Sequence, residues 1–190
     1  NVVNAVQAVL ASKELGIDQN SAWNSLAHMK SVLGRMELVP VKDDISVVVD
    51  YAHTPDAVDK VLRHLRPKTP ARLITVIGCG GDRDATKRPL MGQVAEQLSD
   101  VVIVTDDNPR SENPDLIRAQ VSSGFRTLKP INIGDRREAI RSALLLARAG
   151  DIIAVLGKGH EQGQEIMGVT YPFCDQDVIR EEAADVFSNA

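Results

Sequence analysis

The chain has 190 residues, of which 43% are hydrophobic and 25% are charged, so it is long enough to bury a core of its own. Its formal net charge of −4 argues against a nucleic acid or an anionic membrane surface as the main partner. Its two cysteines are too few for a disulfide framework or a cysteine-based zinc site and fit a reducing cytoplasm, while no apolar run is long enough for a membrane span.

The first 38 residues predict two short helices. Valine and leucine side chains repeat at helical spacing up to Gly16, which ends the first helix. Asp18 then supplies an N-cap for a second helix around Trp23. We expect a domain boundary after residue 38. Because the chain begins at Asn1 rather than Met, within a helical pattern, we also expect it to be a piece of a longer polypeptide.

Strands and helices alternate over residues 39–190. The predicted strands are Ile45–Val49, Leu73–Ile77, Val101–Thr105, Ile131–Ile133 and Ile152–Leu156. The predicted helices are Pro55–Leu65, Lys87–Leu98, Pro114–Ser122, Arg136–Ala149 and Asp175–Ser188. Continuous apolar strands separated by helices indicate a parallel sheet that is covered on both faces. The predicted fold is therefore α/β, with a doubly wound, mainly parallel, Rossmann-like sheet of roughly five or six strands.

Four of the predicted strands end in loops that are rich in glycine and charged residues. These loops are residues 50–55, 78–84, 106–110 and 157–161. The loops at the opposite ends of the strands are short and plain. Because ligands of open α/β sheets bind at the carboxyl ends of the strands, the sequence predicts a binding site at this edge.

The stretch Asp107-Asn108-Pro109-Arg110 follows the third of these strands and combines an acid, an amide and a guanidinium group. Arg110 can hold a carboxylate through two hydrogen bonds, Asp107 can hold an ammonium group, and Asn108 can bind either. Pro109 fixes its own φ and keeps Asn108 out of the helical conformation, so the turn is stiff before a ligand arrives. The stretch favours a ligand with both an ammonium and a carboxylate group, and a merely solvated turn is the equal alternative.

The glycine loop after Ile77 leaves another class of protein open. Gly78 and Gly80 begin a dinucleotide-binding fingerprint, but Arg83 occupies the third glycine position and would spoil the close helix–strand packing. Asp106 lies about where a ribose-binding acid would be. A nicotinamide-dependent dehydrogenase is therefore disfavoured rather than excluded.

Three further residues could belong to a functional site, and each also has a simpler interpretation. Lys158 lies between two glycines, without the Ser or Thr of a Walker A loop, so no P-loop is expected. His53 alone suggests a capping or core histidine, but beside Asp50 and a helix N-terminus it also suits a polar contact near phosphate. Cys79 has no partner in the sequence that marks it as a nucleophile, so we expect it to pack in the core.

Taken in order, these loops resemble those of the Mur ligases of peptidoglycan synthesis, and the resemblance covers essentially the whole chain. It rests on Asn1 and Asn4, residues 34–37, residues 50–55, residues 78–84 with 87–89, residues 107–110 and residues 157–161. Six motifs in the same order are far more specific than any one of them. The similarity is greatest to the members that add meso-diaminopimelate to UDP-N-acetylmuramoyl-L-alanyl-D-glutamate.

The resemblance implies part of a bacterial, cytoplasmic, ATP-dependent ligase that forms an amide bond through an acyl phosphate. Residues 1–38 would be the tail of the central ATP-binding domain, and residues 39–190 the C-terminal domain that brings the amino acid and closes over ATP. The family's UDP-sugar domain and P-loop lie outside this chain. ATP, Mg²⁺, the UDP-linked dipeptide and the remaining domains are the implied partners, and the chain alone would bind but not catalyse.

The resemblance also implies roles for individual residues. The implied contacts of diaminopimelate are Arg83, Asp107, Asn108, Pro109, Arg110, Gly157 and Glu161. The implied contacts of ATP are Asn1, Asn4, Arg35, Asp50, Tyr51 and His53, with Asp50 on the ribose and Arg35 near the phosphates. No metal ligand is implied in this chain, and His53 is the one candidate for a catalytic role. The alternatives are a lysine-adding or folylpolyglutamate-type ligase, the dehydrogenase, and a non-catalytic amino-acid-binding module.

Overall fold

The N-terminal part of the chain forms a helical unit. The computed structural model of the protein describes residues 2–28, 32–42 and 44–188, and it divides the chain into two compact units at Ser31 and Val32. The first unit contains α1 (Val2–Glu14) and α2 (Gln19–Ala27). The Oδ2 atom of Asp18 accepts the backbone N–H of Ser21 at 2.8 Å and caps α2. The two helices predicted for this part of the chain are therefore present.

A six-stranded sheet forms the centre of the second unit, in the order β1-β2-β6-β3-β4-β5. Its strands are β1 (Glu37–Lys42), β2 (Ile45–Asp50), β3 (Leu73–Ile77), β4 (Val101–Val104), β5 (Ile131–Asn132) and β6 (Ile152–Leu156). Strands β2 to β6 pair in parallel, and β1 lies antiparallel to β2 at the edge. All residues of β3 and β6 are buried, because helices cover both faces of the sheet.

Three helices cover one face of the sheet and two cover the other. The first group is α3 (Pro55–Leu65), α4 (Lys87–Leu98) and α5 (Pro114–Ser122), and the second is α6 (Arg136–Leu146) and α7 (Asp175–Ser188). Each face has its own apolar cluster, with Leu62 and Met91 in one and Ile140 and Ile179 in the other. The predicted doubly wound α/β fold is confirmed. Among the described residues, no helix has the length and apolar composition needed to cross a bilayer.

The sequence did not predict β1 or the separate antiparallel hairpin of β7 (Gly163–Ile166) and β8 (Val169–Pro172). Pro40 lies inside β1 and argues against a central strand, but Pro is tolerated at the edge of a sheet. The hairpin turns at Met167 and Gly168, both with positive φ, without the Asn-Gly or Asp-Gly pair that would mark such a turn. Since β1 begins at Glu37, the sheet unit starts earlier than the predicted boundary after residue 38.

Candidate functional site

A cavity of about 210 Å³ lies at the carboxyl edge of the parallel strands, where the sequence predicts a binding site. Its walls come from the loops that follow β2, β3, β4 and β6 and from the start of α4. The lining residues are Tyr51, His53, Thr54, Gly80, Arg83, Lys87, Asp107, Asn108, Arg110, Gly157 and Glu161. Six of the seven residues predicted to contact the amino acid line this cavity, and Pro109 lies between two of them.

The side-chain amide of Asn108 is fixed in one orientation. Its Oδ1 atom accepts hydrogen bonds from Lys158 Nζ at 2.9 Å and from the backbone N–H of Glu165 at 3.0 Å. Its Nδ2 atom donates to Glu161 Oε2 at 2.8 Å. Both partners of Oδ1 can only donate, so the oxygen must face them, and the free hydrogen of Nδ2 is what the amide can offer a ligand. The sequence left Asn108 able to bind either group, whereas the structure makes it a donor.

Lys158 is fully buried next to the cavity, although no role was predicted for it from the sequence. Besides Asn108, its Nζ atom lies 3.3 Å from Glu161 Oε2 and 3.9 Å from Asp107 Oδ1. One lysine thus contacts the amide and both carboxylates that line the cavity. The burial of Lys158 depends on residues distant in sequence, so its neighbours in the chain do not predict it. The flanking glycines, Gly157 and Gly159, are the one local sign of a closely packed position.

The carboxyl group of Asp107 is only 6% exposed, and burial raises its pKa above the ordinary value for aspartate, although Arg136 and Lys158 oppose the shift. It approaches the backbone of Gly157 closely, since a Cβ atom at that position would lie 2.4 Å from Asp107 Oδ2. Gly157 also has a φ of +116°, where side chains are strained. Glycine at 157 is therefore required both for the turn and for the carboxylate.

Three cationic side chains also line the cavity, those of Arg83, Lys87 and Arg110. Arg110 donates from Nη1 to the carbonyl of Gly81 at 2.8 Å and pairs through Nε with Glu165 at 3.1 Å. Arg83 donates only to the carbonyl of Asp82, and Lys87 donates to a carbonyl in the loop after β2. Neither Arg83 nor Lys87 has a carboxylate partner among the described residues. Their charges are therefore available to an anionic group of a ligand.

A buried pair holds two of these loops together. Arg88 is fully buried on α4 and binds both carboxylate oxygens of Glu112 at 2.8 Å. It also donates to the carbonyl of Gly80 at 3.1 Å, and Glu112 accepts the backbone N–H of Asp82 at 2.6 Å. The glycine loop after β3 and the loop after β4 are thereby joined. These two loops form adjacent walls of the cavity.

A second cluster brings together residues that the resemblance assigns to ATP. The guanidinium of Arg35 lies over the ring of Tyr51, 4.8 Å from its centroid, and His53 contacts the same ring edge-on at 4.7 Å. Arg35 is exposed and has no ion-pair partner among the described residues. The two oxygens of Asp50 accept the backbone N–H groups of Met36 and Ala52, each at 2.8 Å, so this carboxylate holds the loop around Arg35 in place.

The two remaining predicted ATP contacts are not among the described residues of the sheet unit. Asn4 lies on α1 in the first compact unit, which is described separately from the sheet unit. Asn1 lies outside the described residues. The cluster of the sheet unit therefore contains four of the six predicted residues.

Two buried groups complete the surroundings of the site. Arg136 and Asp175 form a fully buried pair at the N-termini of α6 and α7, with two contacts of 2.7 Å, and the pair was not predicted from the sequence. Arg136 also donates to the carbonyl of Leu156 at 3.1 Å, at the end of β6. Cys79 packs in the core as expected, and burial raises the pKa of its thiol to about 12, which leaves it unreactive at neutral pH.

Comparisons with known proteins agree over nearly the whole chain. Residues 34–159 match the family model described as "Mur ligase, glutamate ligase domain". A UDP-N-acetylmuramoyl-L-alanyl-D-glutamate–2,6-diaminopimelate ligase from Rhizobium meliloti is 47% identical over 180 residues, which are 94% of this chain and 37% of the relative. The relative of the same name from Gloeobacter violaceus is 48% identical over 190 residues, which are 99% of this chain and 38% of the relative.

A solved structure of a ligase with this name is also similar. It aligns with a TM-score of 0.77 and 41% identity, over 97% of this chain and 38% of the solved chain. The chain therefore spans less than two fifths of the length of the relatives that it matches.

Proposed function

The chain belongs to the Mur ligase family, and we propose that it is the C-terminal part of an enzyme that adds meso-diaminopimelate to UDP-N-acetylmuramoyl-L-alanyl-D-glutamate in bacterial peptidoglycan synthesis. Residues 32–190 would be the domain that binds the incoming amino acid. The preceding helices would end the central ATP-binding domain. We place the enzyme in the bacterial cytoplasm, where its nucleotide substrates are made.

The observation that carries the proposal is the pairing of charges around the cavity. Arg83, Lys87 and Arg110 supply cations to its lining, and Asp107 and Glu161 supply carboxylates. Meso-diaminopimelate has two carboxylate and two ammonium groups and would satisfy charges of both signs. Lysine has only one carboxylate, so it would leave a guanidinium in the cavity without its partner.

In the proposed reaction, the chain's residues bind and orient the amino acid. The γ-carboxylate of the D-glutamyl residue would first take the γ-phosphoryl group of ATP, which releases ADP and forms an acyl phosphate. The amino group of diaminopimelate would then attack that carbonyl carbon, forming the C–N bond, releasing phosphate and losing a proton. Asp107 and Glu161 would hold an ammonium group, while Arg110 and the free Nδ2 hydrogen of Asn108 would hold the carboxylate distant from the reacting amine.

The second cluster supports a role in binding ATP at the same edge. Arg35 is exposed and free of ion pairs among the described residues, which suits a contact with phosphate groups. Tyr51 and His53 offer rings beside it, and Asp50 would reach the ribose only if its carboxylate accepted a bond beyond the two it has. His53 stays the candidate for proton transfer. Mg²⁺ and most of ATP would be held by the part of the ligase that this chain does not cover.

Exchange of Arg110 tests the proposal in the ligase that contains this chain. Arg110→Ala should raise KM for diaminopimelate about 10- to 100-fold, because a charge-assisted contact of about 1.5–3 kcal/mol is lost. KM for ATP and for the UDP-linked dipeptide should not change. Arg63→Ala removes an exposed arginine of α3 that pairs with Asp59, and it serves as the control. Unchanged kinetics with diaminopimelate in the Arg110 variant would rule out this role.

Calorimetric titration of the chain separates the alternatives. Heat with meso-diaminopimelate but not with lysine or NAD would support the proposal and would also reveal binding without catalysis. A lysine-adding ligase would give heat with lysine, and a dehydrogenase would give heat with NAD.

A further inference from the structure

The hairpin of β7 and β8 is fastened to the loop that carries Arg110. The backbone N–H of Arg110 donates to the carbonyl of Glu165 at 3.0 Å, and the N–H of Met167 donates to the carbonyl of Arg110 at 2.8 Å. The side chain of Gln164 donates to the carbonyl of Asp107 at 2.7 Å, and the N–H of Glu165 donates to Asn108 Oδ1. The hairpin therefore supports the backbone on which the proposed amino-acid contacts lie.

The guanidinium of Arg110 is held at two of its three nitrogens. Glu165 Oε2 lies 3.1 Å from Nε, and the carbonyl of Gly81 lies 2.8 Å from Nη1. Because the group is planar, these two contacts fix both its plane and the direction of Nη2. Nη2 has no hydrogen-bond partner among the described residues. Arg110 lines the cavity described above and also a second cavity of about 300 Å³ beside the hairpin.

The pair of Arg110 and Glu165 is poorly placed to stabilise the fold. Their side chains are 21% and 41% exposed, and ion pairs open to water contribute little to stability. Glu165 nevertheless sits where it orients a guanidinium whose remaining nitrogen is open to a ligand. Its contact with Arg110 therefore has a larger consequence for binding than for folding.

We propose that Glu165 is a positioning residue for Arg110, so that the hairpin sets the selectivity of the site for an amino acid with a second carboxylate. The inference rests on the proposed function. Without Glu165, Arg110 keeps its charge, but its guanidinium is no longer held in one direction. A carboxylate that binds Arg110 must then immobilise the side chain, and this lowers the affinity. Lysine has no group for Arg110 and does not depend on the contact.

Kinetics of two Glu165 variants in the diaminopimelate-adding ligase test this inference. Glu165→Ala should raise KM for diaminopimelate about fivefold to tenfold, because binding must then order the Arg110 side chain, and it should leave KM for ATP and kcat unchanged. Glu165→Gln keeps an acceptor oxygen for Nε–H and should stay within about twofold of the wild type. Glu181→Ala removes an exposed glutamate that pairs with Arg137 on the far helices and is the matched control.

The double variant separates positioning from a general structural effect. If Glu165 acts through Arg110, Glu165→Ala should change KM for diaminopimelate no further in an Arg110→Ala background. A further increase there, an equal loss with the Gln variant, or a wild-type KM in Glu165→Ala overturns the inference while leaving the proposed function intact. If the wild-type enzyme does not use diaminopimelate at all, both the role of Glu165 and the proposed function are wrong.

Discussion

At the scale of single residues, Asp107 is buried in surroundings that disfavour its ionised form. Its carboxyl group is enclosed at the end of β4, its nearest cation is Lys158 at 3.9 Å, and burial raises its pKa. In the proposed site, a carboxylate that the fold holds at a cost would gain a closer partner from a ligand's ammonium group. We therefore expect Asp107 to favour binding at the expense of stability.

Asp107→Asn should stabilise the chain at pH 7 and weaken its binding of diaminopimelate. The raised pKa means that the wild type carries the full cost of the buried carboxyl group above its folded-state pKa and a declining cost between that pKa and the unfolded-state value. The gain in the variant should therefore shrink as the pH falls and vanish below the ordinary aspartate value of 3.8. Urea unfolding of both proteins between pH 3 and pH 8 measures this. A variant less stable than the wild type at pH 7 would contradict it.

At the scale of elements, the site depends on contacts between loops that follow different strands. Arg88 on α4 joins the carbonyl of Gly80 to Glu112, which follows β4. Arg88 is fully buried, while the side chain of Glu112 is 34% exposed. The guanidinium of Arg88 lowers the pKa of Glu112 to about 2, assisted by the backbone N–H of Asp82. The walls of the cavity are therefore joined by a pair that requires ionised Glu112.

Glu112→Gln should lower the free energy of unfolding by about 1–3 kcal/mol at pH 7, because a buried guanidinium loses its charged partner. With the pKa lowered from 4.5 to about 2, the wild type has this advantage above pH 4.5 and loses it as the pH falls to about 2. Urea midpoints of the two proteins across this range test the sign. The control Asp56→Asn breaks an exposed pair on α3 and should change stability by less than about 0.5 kcal/mol.

At the scale of the whole molecule, the two apolar clusters of the sheet unit together draw on residues from β1 to α7. One cluster lies beneath α3, α4 and α5, and the other lies beneath α6 and α7. β1 closes the sheet at one edge by pairing with β2 from Glu37 onward. Since β1 begins before residue 39, a domain cut at the predicted boundary would remove part of an edge strand.

Residues 32–190 should therefore fold cooperatively as an isolated domain. Their urea unfolding, followed by far-ultraviolet circular dichroism, should show a single transition. Residues 39–190, which lack the start of β1, should be less stable and expose more of β2, the neighbouring strand. If residues 32–190 bound the hydrophobic dye ANS, as a molten globule does, this expectation would be contradicted.

The sequence by itself determined the elements whose signals are local. The helix from Pro55 to Leu65 has Thr54 as its N-cap and Pro at its first position, and the structure gives the same bounds. Continuous apolar runs marked the buried strands, and the polar residues after them predicted a binding site at the edge where the structure has a cavity, because parallel strands end at one edge. The resemblance of six motifs in order then indicated the family that the comparisons show.

Only the tertiary structure decided the features that depend on distant partners. The hairpin of residues 163–172 has no buried residue and is held largely by the loop around Arg110, so no pattern of alternating burial marks it in the sequence. The orientation of the Asn108 amide follows from Lys158, fifty residues away in sequence. Hydrogen-bond partners, buried charges and the direction of Arg110 arise when strand ends meet in space, and spacing along the chain does not encode them.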